Sequence, residues 1–186
     1  IPTLGRHAVH NALAAAAVGL GTGLSADEVA SGLASTPASP HRGQLVAAGP
    51  ITILDDSYNA APRSMRAALE LLATLPGRHV AVLGEMYELG EGTEAGHREV
   101  GVAAATLADV LVVVGEGARP TAESARMTGL PADRIVEVGD RDAARAALRT
   151  LLREGDVVLV KASRGAELDR LVDALRADWA APGARP

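Results

Sequence analysis

Ile51-Thr52-Ile53-Leu54-Asp55-Asp56-Ser57-Tyr58-Asn59-Ala60-Ala61-Pro62 runs from β-branched residues into a polar turn, and a helical pattern follows from residue 64. Residues 51–54 are expected to form a buried strand. Two adjacent carboxylates therefore sit where a strand gives way to a helix. In open α/β sheets, ligands bind outside the carboxyl ends of the strands. Carboxylates there can accept ribose hydroxyls or help hold a metal bound to phosphates. Asp, Ser and Asn also cap helix N-termini, so a structural and a functional reading both stay open at this turn.

The same strand-to-helix grammar repeats downstream. Expected strands at 79–83, 110–114, 135–138 and 156–160 alternate with expected helices at 94–107, 119–128, 142–153 and 167–179. Residues 44–48 and 51–54 form two further short strands around Gly49-Pro50. Continuous apolar strands between amphipathic helices indicate a mostly parallel, doubly wound sheet covered on both faces. Upstream, residues 8–21 read as an Ala-rich helix. A second helix is expected from Ser25, where Ser25 and Glu28 match a capping box, to about residue 35. Pro37 and Pro40 stop it, and 35–41 reads as a linker. The chain thus divides into a helical pair, an α/β domain over about 42–180, and a tail at 181–186 expected to be disordered.

Composition narrows the function. The chain has 186 residues, 48% of them apolar, no Phe and one Trp, so its core is aliphatic. Net charge is −5 and no basic stripe follows any expected helix, which argues against nucleic-acid binding. There is no cysteine, which excludes disulfides, thiolate metal sites and cysteine nucleophiles. No stretch approaches the roughly 20 apolar residues that span a bilayer, and a cytoplasmic location is expected.

Four loops fall at expected carboxyl ends of strands: 55–62, 84–90, 115–117 and 161–165. In a parallel sheet they share one edge. Lys161, Arg164, Asp55, Asp56, Glu85 and Glu88 would then line one crevice, a mixture suited to a zwitterionic or phosphorylated substrate. Lys161-Ala162-Ser163-Arg164-Gly165 ends a strand and opens a helix, as a carboxylate or phosphate site would. Solvated surface charge is the plainer reading of Lys161 and Arg164, and of Arg42 in the linker. Lys161 is the only lysine in the chain. Gly115-Glu116-Gly117 lacks the third glycine of a dinucleotide fingerprint. His97 reads as structural, and His7 with His10 lacks a third metal ligand, so no metal site is assigned. No Gly-x-x-x-x-Gly-Lys-Ser/Thr loop occurs, so this chain does not wrap a triphosphate in the P-loop manner.

Together these segments resemble the Mur ligases. The resemblance rests on Gly5-Arg6-His7 with Asn11-Ala12-Leu13, then Arg42, then Asp55-Asp56-Ser57-Tyr58-Asn59-Ala60-x-Pro62-x-Ser64-Met65. It continues in Leu83-Gly84-Glu85-Met86-x-Glu88-Leu89-Gly90, His97-x-x-x-Gly101 and Lys161-x-Ser163-Arg164-Gly165. The pattern is most similar to the type that adds D-alanyl-D-alanine to UDP-N-acetylmuramoyl-tripeptide. It implies a Rossmann-like C-terminal domain with a six-stranded sheet, one strand antiparallel. Residues 1–41 would then be the closing helices and linker of the central ATPase domain, and 42–180 the C-terminal domain. The P-loop, the magnesium ligands and the UDP site would lie in domains outside this chain, leaving it inactive alone.

The resemblance further implies ATP with magnesium, a UDP-linked muramoyl peptide and D-alanyl-D-alanine or another small amine as partners. Amide formation would run through an acyl phosphate. Asn11 would contact the adenine side of ATP, Arg42 the phosphates, and Asp56 the ribose. Tyr58 and Asn59 would line the junction between nucleotide and amino substrate. Lys161, Ser163 and Arg164 would hold the peptide substrates. Three departures stand out: Ala8 replaces Asn, Ala61 and Arg63 replace Asn and Asp of Asn-Ala-Asn-Pro-Asp, and Ala162 replaces Gly. They admit a Mur-like ligase of natural-product biosynthesis with a different amine. A non-catalytic, anion-binding α/β module is the remaining alternative.

Overall fold

The structure is a computed structural model, and residues 4–35 and 39–179 are described, without the side chains of residues 6 and 7. The tail expected to be disordered and part of the linker lie outside the described residues. Two helices come first, α1 (Arg6–Gly21) and α2 (Ala26–Ser35). The capping box is formed: Ser25 N–H donates to Glu28 Oε2 at 2.8 Å, and Glu28 N–H donates to Ser25 Oγ at 3.3 Å. The Ser25 N–H, and then the Ser25 hydroxyl at 2.7 Å, donate to the Glu28 carboxylate and hold it below its ordinary value.

Six strands follow: β1 (Gln44–Ala48), β2 (Ile51–Asp55), β3 (Arg78–Gly84), β4 (Val110–Val114), β5 (Ile135–Val138) and β6 (Asp156–Lys161). They form one sheet in the order β1-β2-β6-β3-β4-β5. β1 pairs antiparallel with β2 through the tight turn at Gly49-Pro50, and every other pair is parallel. The helices are α3 (Pro62–Leu72), α4 (Thr93–Leu107), α5 (Arg119–Thr128), α6 (Arg141–Leu151) and α7 (Asp169–Trp179).

Alternation along the strands sorts the core into two layers. Leu54, Ala81, Leu83, Leu111, Val113 and Leu159 face α3, α4 and α5 through Met65, Leu69, Leu72, Val100 and Ala122. Ile53, Val80, Val82, Val112, Val158 and Val160 face α6 and α7 through Leu148, Leu171, Leu175 and Trp179. Small residues at Gly101 and Ala125 let α4 and α5 lie close. Every strand residue of β4 and β6 is buried, which is why 110–114 and 157–160 read as unbroken apolar runs; the charged ends of β6, Asp156 and Lys161, are buried as well.

Local boundaries differ from the sequence expectation in two instructive places. α3 begins at Pro62, which supplies a preset φ at the first turn, and ends at Leu72 because Pro76 disfavours helix before it. α7 begins two residues later than expected. A short 3₁₀ turn at Arg164–Ala166 and a left-handed Glu167, φ 49°, intervene. Arg141 and Arg170 both ion-pair with the Glu167 carboxylate there.

Candidate functional site

The chain winds in opposite senses from the adjacent strands β6 and β3. β3 feeds α4 on one face, and β6 feeds α7 on the other. Their carboxyl ends therefore open a crevice, the switch point at which ligands sit in such sheets. The loop after β2 closes its third side. β3 can approach because Gly84 has no side chain: a Cβ there would meet Ala162 Cβ at 2.7 Å.

Asp55 and Asp56, adjacent in sequence, point to different partners. Asp55 is buried at the end of β2. Its Oδ2 lies 2.8 Å from His41 Nδ1, and its Oδ1 accepts from Ser57 Oγ at 2.6 Å and Ser57 N–H at 3.2 Å. The helix-cap reading fails here, because Asp55 turns away from α3. Ser64 instead serves α3: its hydroxyl accepts from Ala61 N–H at 3.1 Å. Ala61, at the N-cap, offers no side-chain acceptor to the first turn of α3; its own N–H is the one that Ser64 satisfies.

Asp56 faces the crevice. Lys161 Nζ donates to Asp56 Oδ2 at 2.5 Å and to the Asn59 carbonyl at 2.9 Å, while Gly43 N–H donates to Asp56 Oδ1 at 3.0 Å. The Lys161 side chain is 3% exposed and that of Asp56 is 19% exposed. Lys161 is thus a buried counter-ion, not a surface charge or a wall of the crevice. Each Asp56 oxygen has one protein partner and a lone pair to spare, so the carboxylate can still accept hydroxyls from a ligand.

Ser163 is buried as well. Its hydroxyl accepts from Tyr87 N–H at 2.9 Å and lies 3.4 Å from the Ala60 carbonyl, and its N–H donates to the Glu85 carbonyl at 2.9 Å. It stitches the loops after β2, β3 and β6 together. Arg164, next in sequence, is exposed and its guanidinium lies 5.1 Å from the Tyr58 ring centroid. Arg42 lies on the same ring at 4.1 Å. Neither guanidinium makes an ion pair among the described residues. Two cations sharing one ring repel each other, and a bound anion would relieve that repulsion. Ser39, His41, Arg42, Tyr58, Arg164 and Asp169 line an open cleft of about 510 Å³. Asn59 is exposed beside it, with its Oδ1 accepting from Ala60 N–H at 2.8 Å. Asn11 is exposed on α1 and is not among the residues lining the cleft.

Glu85 accounts for the glycine pair after β4. Its Oε1 accepts from Gly117 N–H at 2.9 Å, and a Cβ at Gly117 would sit 3.0 Å from the Glu85 carboxyl carbon. Tyr87 stands beside this carboxylate, its phenol pushed above the ordinary value by burial and then by the Glu85 charge. His97 is structural, as expected. It is buried, its Nδ1 lies 2.8 Å from the Thr93 carbonyl, and its Nε2 accepts from Met86 N–H at 3.1 Å. His10 is exposed, and no group of three His, Asp or Glu residues that could hold a metal occurs among the described residues.

His41 was not singled out by sequence. It occupies a left-handed conformation, φ 56°, which costs a side-chain-bearing residue about 1–2 kcal/mol. Pro40 and Gly43 three residues apart were the available turn signal. Nothing local to the sequence pointed to Asp55 as the partner of His41.

The chain matches the family model described as Mur ligase, glutamate ligase domain over residues 41–164. It is 47% identical to a UDP-N-acetylmuramoyl-tripeptide–D-alanyl-D-alanine ligase of Mycobacterium tuberculosis, over 98% of this chain and 40% of that protein. Among solved structures it resembles MurF from Acinetobacter baumannii, with a TM-score of 0.83 at 30% identity over 95% of this chain and 39% of that one. It also resembles the MurF ligase of Thermotoga maritima in complex with ADP, with a TM-score of 0.79 at 28% identity, over 96% of this chain and 40% of that one. The chain spans about two fifths of the length of these relatives.

Proposed function

Because this chain belongs to the Mur ligase family, we propose that it forms the C-terminal domain of an ATP-dependent ligase that joins D-alanyl-D-alanine to UDP-N-acetylmuramoyl-tripeptide in peptidoglycan precursor synthesis. The observation that carries this reading is the cleft where Arg42 and Arg164 share the Tyr58 ring above the edge that holds Asp56. Two guanidiniums without an ion pair among the described residues fit a polyphosphate or an acyl phosphate, and a carboxylate with spare lone pairs fits a ribose. The names of the relatives support the same reading.

ATP, when bound, supplies the phosphoryl group that activates the peptide carboxylate for attack by the amine. The chain's own residues position and stabilise charge. Arg42 meets the phosphates with its fork geometry. Asp56 accepts the ribose hydroxyls, held in place by Lys161 and Gly43. Tyr58 orients Arg42 and separates the nucleotide side from the amine side, with Asn59 at the junction. Arg164 takes a carboxylate of the peptide substrates. Lys161 and Ser163, both buried, act on those substrates through the loops they tie down. Asn11 on α1 meets the adenine side. Magnesium, where it is bound, would be held mainly by the ATPase domain and would supply charge neutralisation at the phosphates, and residues 1–41 read as the closing helices and linker of that domain. Domain closure brings the cleft onto the nucleotide. Among the described residues, no helix is long and apolar enough to cross a membrane.

Neither Ala61 nor Arg63 is among the residues that line the cleft, so these two departures carry no argument for another amine. The test is phosphate release by the full-length protein with UDP-N-acetylmuramoyl-tripeptide and ATP, with and without D-alanyl-D-alanine. Dipeptide-dependent release is expected, and Arg42→Ala should lower it at least about 10²-fold. Turnover with another amine but none with the dipeptide would overturn the substrate assignment. Turnover untouched by Asp56→Ala would overturn the site.

A further inference from the structure

We propose that His41 and Asp55 are a positioning pair that fixes the aim of Arg42, an inference that rests on the phosphate role just given to Arg42. Three bonds lash residues 41–43 to the turn after β2. His41 Nδ1 lies 2.8 Å from Asp55 Oδ2, the His41 carbonyl accepts from Tyr58 N–H at 3.0 Å, and Gly43 N–H donates to Asp56 Oδ1 at 3.0 Å. His41 and Gly43 are both left-handed, at φ 56° and φ 61°. Between them, Arg42 places its guanidinium against the Tyr58 ring, 4.1 Å from its centroid.

A left-handed glycine is unremarkable, but a left-handed histidine persists only where its surroundings over-determine it. Asp55 is the over-determining partner. Its side chain is 3% exposed, and His41 is the one basic side chain within 4 Å of it among the described residues. The buried carboxylate cannot follow solvent, so it anchors the imidazole, and the imidazole anchors the backbone from which Arg42 projects. The adjacent acids thus divide the work: Asp56 faces ligand and Asp55 faces the residue that aims the arginine. Misplacing a charge-stabilising group by about 1 Å can cost roughly 10²-fold in rate, which sets the scale expected when the pair is lost.

The discriminating variant is His41→Gly in the full-length protein. Glycine adopts φ 56° freely, so a residue needed only for the shape of the turn tolerates the change. A residue needed for its imidazole does not. Ligation rates and equilibrium ADP affinity would be measured for the wild type, His41→Gly, Arg42→Ala, the double variant and Asp55→Asn. The expected result is a 10- to 100-fold loss of kcat in His41→Gly with KM for the amine unchanged, a similar loss in Asp55→Asn, and no further loss when His41→Gly is added to Arg42→Ala. Wild-type turnover in His41→Gly, or losses that multiply in the double variant, would overturn the pair while leaving the ligase reading intact. If the dipeptide is not ligated but ADP binds, the same cycle read in ADP affinity decides the pair alone. A wild type that neither ligates nor binds ADP overturns both.

Discussion

Lys161→Met tests whether the crevice is held together by one buried ammonium. The substitution keeps the volume of the side chain and removes its charge and donors. Left behind are Asp56 Oδ2, which loses a 2.5 Å partner, and the Asn59 carbonyl, which loses a 2.9 Å partner. A hydrogen bond to a charged group contributes about 1.5–3 kcal/mol and one between neutral groups about 1 kcal/mol. Two terms work against the full loss. The buried ammonium no longer carries its desolvation cost, and Asp56, with 19% of its side chain exposed, can take up water. A net loss of about 2–3 kcal/mol results, and at roughly 2–4 °C per kcal/mol for a chain of this length the Tm should fall about 4–12 °C. Scanning calorimetry of the chain reads this directly. Adding Asp56→Asn to Lys161→Met removes the stranded charge and should recover at least half of the loss. An unmoved Tm in Lys161→Met, or no recovery in the double variant, would refute the buried-counter-ion reasoning.

Gly101→Ala would place a Cβ 2.3 Å from the Thr121 carbonyl oxygen and 2.8 Å from Ser124 Cβ, so α4 and α5 must separate, with a loss of about 1–3 kcal/mol in denaturant unfolding. Gly49→Ala meets the Trp179 carbonyl oxygen at 2.0 Å in a turn at φ 56°, and should loosen α7 from β1, seen as faster amide exchange in residues 169–179. The bidentate Arg145–Asp178 pair holds the Asp178 carboxyl below its ordinary value of 3.8, so its contribution to stability is present above that pH and is lost as pH falls through the lower folded value. Asp178→Asn should therefore lower the Tm at pH 7 and reduce the acid sensitivity of unfolding below about pH 4; a parallel fall of both proteins through that range would count against it.

The element order and the two-layer core are written locally. Unbroken apolar runs at 110–114 and 157–160, the Gly49-Pro50 turn and the capping box at Ser25 and Glu28 each act over a few residues, so a linear reading finds them. The crowding of catalytic residue types at one edge follows from the same pattern, since parallel strands carry their C-terminal loops to one side. What local pattern does not carry is which strand lies beside which. β6 inserts between β2 and β3, and that placement alone brings Lys161 to Asp56, 105 residues away. A lysine beside a helix start reads as surface charge until the sheet closes over it. His41 reads as linker until Asp55 is buried under it. Long-range pairing is set by the packing of faces and by desolvation of the charges trapped between them, and these exist only once the chain has folded.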